Sequence, residues 1–356
     1  MAKSVVCLVC GGQSAEHEVS LQSAKNVLAA INRERFDVLL AGVDKKGVWN
    51  YFPAEDFLVN GDDPANIRLS DNGLKAFPVL SEKGPALMEF KSGKQHCFDL
   101  LFPVIHGTNG EDGAIQGLCR MLNVPCVGCE QAASANCMDK DLAKRLLDRA
   151  GIRVAKWVIL HKGESVDYDS IIDTLGGLPL FVKPARTGSS VGVTKVVSKD
   201  GLADAIDNAF KFDTKLLIEE CIVGREIECA VLGNEKPKAA VPGEVIPKVT
   251  FYDYKAKYIM ADGAELEAPA KLTPDQVAQV QKIAVKAYQC VECAGMSRVD
   301  FFFTPKGEWI LNEINTIPGF TKISMYPKLW QLSGLSYPKL VEKLIDFALE
   351  KPPVIF

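Results

Sequence analysis

The chain has 356 residues, of which 47% are apolar and 24% charged, and a formal net charge of −4; this length predicts two or three domains with substantial cores. No long Lys/Arg run occurs, which argues against nucleic acid or a membrane surface as partner, and no apolar run of about 18 residues offers a bilayer-spanning helix. The N-terminus MAKSVVCLVCGG turns to glycine after one short apolar run, so it reads as a buried strand rather than an export signal, and the address expected is cytoplasmic.

Taken in chain order, VVCLVC is a strand, LQSAKNVLAAINRE after Ser20 a helix, and FDVLLAGVD and FDLLFPVIHG two further strands. The helix AIQGLCRMLN and the strand PCVGC follow, and this alternation predicts a doubly wound parallel α/β unit. Residues 50–95, polar and rich in Gly, Pro and Asp, read as an excursion off that sheet. The texture changes near Asn136: MDKDLAKRLLDRAGI is a helix, and WVILHK, LFVKPA, GVTKVV, KLLIEEC and EIECAVLG are strands in quick succession, as in an α+β lobe. From about Gly224 a second α+β section runs to the helix KLVEKLIDFALE. The boundaries expected are therefore 1–138, 139–224 and 225–356.

Three C-x-x-C pairs occur, Cys7/Cys10, Cys126/Cys129 and Cys290/Cys293. Two such pairs can in principle build a zinc site. Here the first lies in a strand whose alternation points the thiols to opposite faces, the second in another short apolar stretch, and the third closes an amphipathic helix. Thiols so placed read as small buried hydrophobes.

The segment after the first strand lies at the carboxyl end of the predicted sheet, where such sheets bind ligands. Glu16 there is suited to accept an ammonium group and Ser20 to cap the following helix. His17 reads as a turn or packing residue, whereas His106, ending FPVIHG, is better placed near a substrate. Lys183 opens KPARTGSSVGV, a loop of small residues whose backbone N–H groups can approach a phosphate; neither G-x-x-x-x-G-K-[ST] nor G-x-G-x-x-G is present. Residues 240–270 include a loop with four aromatics, long enough to be a lid, a surface hairpin being the alternative.

The hairpin RVDFFFTPKGEWILNEIN brings carboxylates together. With Lys306-Gly307 at the tip, Phe302 lies opposite Leu311, Asp300 opposite Glu313 and Arg298 opposite Asn315, and alternation puts Arg298, Asp300, Glu313 and Asn315 on one face. Opposed like charges destabilise a sheet by up to about 1 kcal/mol. Hard oxygen ligands beside an Arg suit a magnesium ion carrying phosphates, the other reading being a solvated charged face.

The ordered series GGQSAEHEVSLQSAKN, FPVIHGTNGEDGAIQG, ANCMDKDLAKRLL, VKPARTGSSVGVTKV, IEECIVGREIECAVLG, FYDYKAKY, AGMSRVDFF and NEINTIPGFTKISMYPKLW resembles the D-alanine:D-alanine ligases of the ATP-grasp superfamily, the bacterial A-type most closely, over nearly the whole chain. The resemblance implies an ATP-grasp fold behind an N-terminal α/β domain, a homodimer, and synthesis of D-alanyl-D-alanine from ATP and two D-alanines with two Mg²⁺ ions, for which Mn²⁺ can substitute. It places Lys140, Lys183, Ser189, Ser190, Glu219, Glu220, Ile222 and Glu226 at ATP, and Asp300, Glu313 and Asn315 at the metals. Glu16, Ser189 and Tyr258 form a hydrogen-bonded set at the first D-alanine, with His106 near its carboxylate; Val19, Lys257, Ser324 and Met325 complete the substrate sites. Arg298 and the N–H of Gly319 face the developing oxyanion. Cys221 in the adenine hinge and Thr187 in the phosphate loop depart from the family pattern. The alternatives are the same scaffold with D-lactate or D-serine as acceptor, a non-catalytic nucleotide-binding regulator, and a redox or zinc protein built on the C-x-x-C pairs.

Overall fold

The computed structural model describes residues 3–53, 55–248 and 264–350. A seven-stranded sheet runs in the order Gln95–Cys97, Gly84–Glu89, Leu74–Ser81, Trp49–Phe52, Phe36–Val43, Ser4–Gly11, Leu100–Pro103. Its last three strands are parallel, and Ser4–Gly11 lies between the other two. That central strand is apolar throughout because both faces are covered: Val6, Leu8 and Cys10 enter one core, Cys7 and Val9 another.

Four expectations need correction. Residues 50–95 leave the sheet only in part: residues 55–73 lie off it, with Leu58–Val59 and Arg68–Leu69 paired as a separate ribbon, whereas the strands on either side supply its antiparallel half. The first helix starts before Ser20, spanning His17–Ala30. Ser20 is therefore no cap: inside the helix, its hydroxyl accepts from the Gly11 N–H at 2.7 Å and donates to the Val104 carbonyl at 2.6 Å, joining helix to sheet. PCVGC forms only an isolated bridge, Cys126 to Leu101. The predicted helix at 138–152 is broken by Asp139, which separates Gln131–Met138 from Lys140–Arg149 and caps the latter by accepting from the N–H groups of Asp141 and Leu142.

Beyond this come two antiparallel sheets. The smaller has the order Trp157–His161, Lys215–Glu220, Leu180–Pro184, Thr194–Val196, covered by helices Tyr168–Leu175 and Asp200–Ala209 over Leu160, Val182, Leu202, Ile206 and Ile218. The larger runs Ala264–Glu267, Gly243–Pro247, Arg225–Leu232, Met296–Phe303, Trp309–Asn315, with Lys238–Ala239 beside Arg225–Leu232. Helix Pro274–Cys290, started by a Thr273/Gln276 capping box, packs Val280, Ala284 and Tyr288 onto Val231, Val299 and Leu311. The C-terminal helix Tyr337–Glu350 returns to the first sheet, sharing a core with Val6, Leu8, Leu28 and Phe36. Arg35 adds ion pairs to Glu342 and Asp346, each at 2.7 Å.

The hairpin Met296–Asn315 pairs Arg298 with Asn315 and Asp300 with Glu313, as expected, but Phe302 faces Ile310 rather than Leu311. The ladder shifts between Asp300 and Phe301, where Asn312 is the extra residue of a β-bulge. The physical reason is burial. Glu313 and Leu311 are two apart and would share a face in a regular strand; the bulge sends Leu311 into the core and leaves both Asn312 and Glu313 on the cavity side.

Candidate active site

A cavity of about 380 Å³ lies between the two antiparallel sheets. On the smaller-sheet side stand Lys140, Lys183, Ser190, Glu219, Glu220 and Ile222; on the larger, Glu226, Arg298, Asp300 and Glu313. Gly319, Ser324 and Met325 close a further side. Fourteen residues named from sequence are thus tied to one hollow or its immediate strand neighbours, Asn315 being the cross-strand partner of Arg298.

Lys183 and Lys144 clamp Glu219 from two directions. Lys183 Nζ lies 2.6 Å from one carboxylate oxygen and Lys144 Nζ 3.1 Å from the other. Burial pushes the Glu219 carboxyl up, but the two ammonium groups more than offset this and bring it down to about 2. For Lys183 burial lowers the pKa and Glu219 outweighs it, so the net shift is upward and the group is firmly cationic. Glu219 accordingly holds lysines in place, and its own oxygens are occupied. The Glu220 side chain likewise accepts from the Lys156 N–H at 2.7 Å. Lys140 donates to the Thr187 carbonyl, tying the start of its helix to the small-residue loop; burial lowers its pKa.

That loop is compact. Val191 N–H donates to Gly188 O at 3.1 Å, Val193 N–H to Ser190 O at 3.2 Å, and the Thr187 hydroxyl to Val191 O at 3.0 Å. Ser189 and Ser190 both take left-handed backbone angles, φ 51° and 59°, uncommon for residues with a Cβ and concentrated at functional loops.

Glu16, only 7% exposed, is seated between this loop and the His106-Gly107 turn. A Cβ added at Gly107 would lie 3.0 Å from Glu16 Oε2 and one at Gly188 3.2 Å from it, so both glycines permit a close approach that other residues would crowd. His106 is buried, with Nε2 3.0 Å from Ser23 Oγ and Nδ1 2.9 Å from Ile317 O. Both ring nitrogens thus bond to protein, and His106 acts on any substrate beside it through the 317–320 segment it anchors. Val19 is a buried helix residue outside the cavity lining. His17 Nδ1 donates to Gly12 O, 2.8 Å away, the packing role expected of it. Lys257, Tyr258 and the lid expected at 251–258 lie outside the described residues.

Arg298 is bidentate to Asp300, Nε to Oδ1 at 2.8 Å and Nη2 to Oδ2 at 2.6 Å. Its Nε is also 3.2 Å from Glu228 Oε2, and Asn315 Nδ2 donates to Asp300 at 2.9 Å. Ser324 precedes helix Met325–Leu332, but its hydroxyl points back to Thr321, accepting from the Thr321 N–H at 2.9 Å and pairing with Thr321 Oγ1 at 2.8 Å. Asp300, Glu313 and Asn315 offer hard oxygen donors on one face, a set that fits a divalent cation.

Several residues of this site were not foreseen. Lys144 follows Lys140 by one helical turn and Glu228 follows Glu226 by one strand period, so both were open to periodicity arguments. Glu111, whose carboxylate accepts from Gly107 N–H at 2.9 Å, is raised above its ordinary range by burial and by Glu16. Asn312 reaches the cavity only through the bulge, which has no signal in the alternation. Cys7 and Cys10 lie in different cores, as the strand alternation implies; Cys126, Cys129 and Cys293 are buried as expected, whereas Cys290 is only partly so.

Comparison with known proteins agrees with this geometry. Residues 5–129 match the family model D-ala D-ala ligase N-terminus and residues 146–346 match D-ala D-ala ligase C-terminus. The chain is 51% identical over 354 residues to D-alanine--D-alanine ligase A of Chromobacterium violaceum, covering 99% of this chain and 96% of the relative. Identity to D-alanine--D-alanine ligase A of Escherichia coli K12 is 50% over 354 residues, with 99% and 97% coverage. Among solved structures, the D-alanine-D-alanine ligase from Coxiella burnetii superposes with TM-score 0.83 at 36% identity, over 98% of this chain and 96% of that one. The VanG D-Ala:D-Ser ligase from Enterococcus faecalis gives TM-score 0.84 at 36% identity, over 98% and 100%. The fold is the ATP-grasp arrangement that these neighbours share, and the chain belongs to the D-alanine--D-alanine ligase family.

Proposed function

We propose that this chain joins two D-alanines to D-alanyl-D-alanine through a D-alanyl phosphate, releasing ADP and phosphate, in peptidoglycan precursor synthesis. The observation that carries the reading is the juxtaposition, around one cavity, of Lys140 and Lys183 with Asp300, Glu313 and Arg298. A carboxylate is a poor acyl donor until one oxygen becomes phosphate, so the first D-alanine attacks the γ-phosphoryl of ATP. Negative charge spread over the phosphoryl oxygens is stabilised by Lys140 and Lys183 and by N–H groups of the Ser189-Ser190 loop. Glu220 and Ile222 take the adenine through backbone groups, Glu226 the ribose, and Glu219 keeps Lys183 aimed. Asp300, Glu313 and Asn315 would hold two Mg²⁺ ions, or Mn²⁺ in their place, which when bound supply further charge neutralisation at the phosphates.

Glu16 accepts the ammonium of the first D-alanine, assisted by Ser189 and Tyr258. Ser324 receives the carboxylate of the second, beside Met325 and Lys257. When the second amine loses a proton and attacks, Arg298 and the Gly319 N–H face the oxyanion of the tetrahedral centre, which collapses with loss of phosphate. An acyl phosphate hydrolyses when water reaches it, and closure over the cavity is the role proposed for 251–258. The divisions 1–138, 139–224 and 225–356, a homodimer and a cytoplasmic address belong to the same reading; light scattering tests the dimer.

An ADP-release assay with D-alanine, ATP and Mg²⁺ tests the activity, with Glu313→Gln expected to abolish turnover while the circular dichroism spectrum is kept. No ADP above background from the unmodified protein would leave only a nucleotide-binding module. Because a D-Ala:D-Ser ligase superposes as well as a D-alanine ligase does, backbone shape does not select the acceptor. Product analysis with D-alanine against D-alanine plus D-lactate or D-serine decides it, dominant dipeptide at neutral pH being the result expected.

A further inference from the structure

Three carboxylates stand in a row across the larger sheet. Glu228 is registered opposite Asp300, and Asp300 opposite Glu313. All three line the cavity, and so does Arg298, two residues from Asp300 on the same face of the same strand. Like charges so placed repel, by up to about 1 kcal/mol for each opposed pair, and Arg298 is the cation within bonding distance of both Asp300 and Glu228. Its Nε carries one hydrogen, yet it lies 2.8 Å from Asp300 Oδ1 and 3.2 Å from Glu228 Oε2. That one N–H is donated to Asp300, and Glu228 Oε2 stands beside the same nitrogen at ion-pair distance.

Under the function proposed above, Asp300 also serves the metal set with Glu313 and Asn315, so a bound divalent cation competes with the guanidinium for oxygens that already accept from Arg298 twice and from Asn315 once. Glu228 lies one strand further from Glu313 and outside that set. We infer that Glu228 is a positioning residue for Arg298: as Asp300 turns to the cation, the Nε–H passes to Glu228, which holds the guanidinium in the cavity with its Nη groups free for the oxyanion. The transfer needs the Nε–H to turn from Asp300 toward an oxygen already at ion-pair distance. Without Glu228 the released guanidinium loses the carboxylate beside its Nε, and it follows the phosphates or its remaining partner instead of the reacting carbonyl.

The test is Glu228→Gln, with Glu228→Asp as the second variant, each compared with the unmodified protein. Four measurements are made: ADP-release kinetics with D-alanine, calorimetric binding of ADP with Mg²⁺, Mn²⁺ affinity in the presence of ADP by electron paramagnetic resonance, and the melting temperature. Expected for Glu228→Gln is a kcat lower by about 10- to 100-fold, the range of a misaligned oxyanion donor, with KM for ATP, ADP affinity and Mn²⁺ affinity within about twofold of the original. Glu228→Asp, one methylene short but still anionic, should recover part of the lost kcat. Unchanged kcat in Glu228→Gln overturns the inference. A fall of about tenfold in Mn²⁺ affinity overturns it in another way, by making Glu228 a metal ligand. Joint loss of melting temperature and ADP binding assigns it a structural role only. If Glu228→Gln does not fold, Glu228→Asp is read alone, and full kcat in that variant overturns the inference. Absence of turnover in the unmodified protein instead removes the function on which the inference rests, and the control distinguishes the two failures.

Discussion

His106 Nδ1 lies 2.9 Å from the carbonyl oxygen of Ile317, across 211 positions of sequence. A carbonyl only accepts, so Nδ1 carries the proton and Nε2 accepts from the Ser23 hydroxyl at 3.0 Å. Ser23 Oγ in turn accepts the Phe320 N–H at 3.2 Å. The ring closes on itself: imidazole, carbonyl, backbone from Ile317 to Phe320, hydroxyl. Gly319 lies inside it, so the first sheet's helix sets the loop that bears the proposed oxyanion donor. Ser23→Ala should lower kcat about tenfold with little change in KM for ATP, by loosening that loop, and stability by about 1 kcal/mol for the lost buried hydrogen bonds. Steady-state kinetics and urea melts check both.

His106 also gives the fold a pH dependence of fixed sign. Burial holds its pKa below the ordinary 6.5, against the opposing pull of Glu16. The folded state therefore refuses a proton that the unfolded chain accepts, and stability falls as pH drops below about 6.5, with a slope of at most about 1.4 kcal/mol per pH unit from this group. Urea midpoints between pH 7.5 and about 5 should decline less steeply in His106→Gln than in the unmodified chain.

Glu219 acts at lower pH and by the opposite shift. Its carboxyl is depressed from 4.5 to about 2, so its contribution is complete above about 4.5 and is lost as pH falls through about 2, in total on the order of 3 kcal/mol. Glu219→Gln should destabilise at neutral pH by about 3 to 5 kcal/mol, since Lys144 and Lys183 would be left as buried cations without their partner. The difference from the unmodified chain should shrink as the buffer is taken toward pH 3. A constant difference down to that pH would show that the clamp is not electrostatic.

At Gly319 an added Cβ would fall 2.7 Å from Ser324 Oγ, and that hydroxyl is already fixed by Thr321. Gly319→Ala should therefore displace Ser324 and raise KM for the second D-alanine about tenfold or more, while calorimetric ADP binding stays as it was. Equal loss of both would place Gly319 in the nucleotide site instead.

Much of this molecule was legible where local rules and global packing agree. The unbroken apolar run of VVCLVC pointed to a strand buried on both faces, and Asp300 meets Glu313 as expected because the bulge at Asn312 makes up for a turn register one residue off the expected one. The failures have particular causes. Ser20 looked like a cap because a hydroxyl before an apolar run usually is one, whereas here it is spent on Gly11 and Val104. Residues 50–95 looked irregular because their strands carry polar residues and prolines; Pro78 lies in Leu74–Ser81, beyond the two residues of that strand that pair with Trp49–Phe52. Glu219, placed at ATP, does line the cavity; what was not foreseen is its pairing with Lys144, which depends on a helix and a strand meeting in space and so escapes periodicity.

Strand Trp309–Asn315 has one residue more than its ladder requires. Removing Asn312 would leave a regular ladder in which Leu311 still enters the core and Glu313 still meets the cavity, so the sheet would keep its sidedness and lose one amide. Removing Ile310 instead, only two positions away, would close the same gap by opposing Phe301 to Asn312, which buries the amide and turns Leu311 toward the substrates. In this stretch the reading frame of the strand matters more than the chemistry of any one side chain, and two deletions of equal length should separate a folded, impaired enzyme from a chain that cannot form its site.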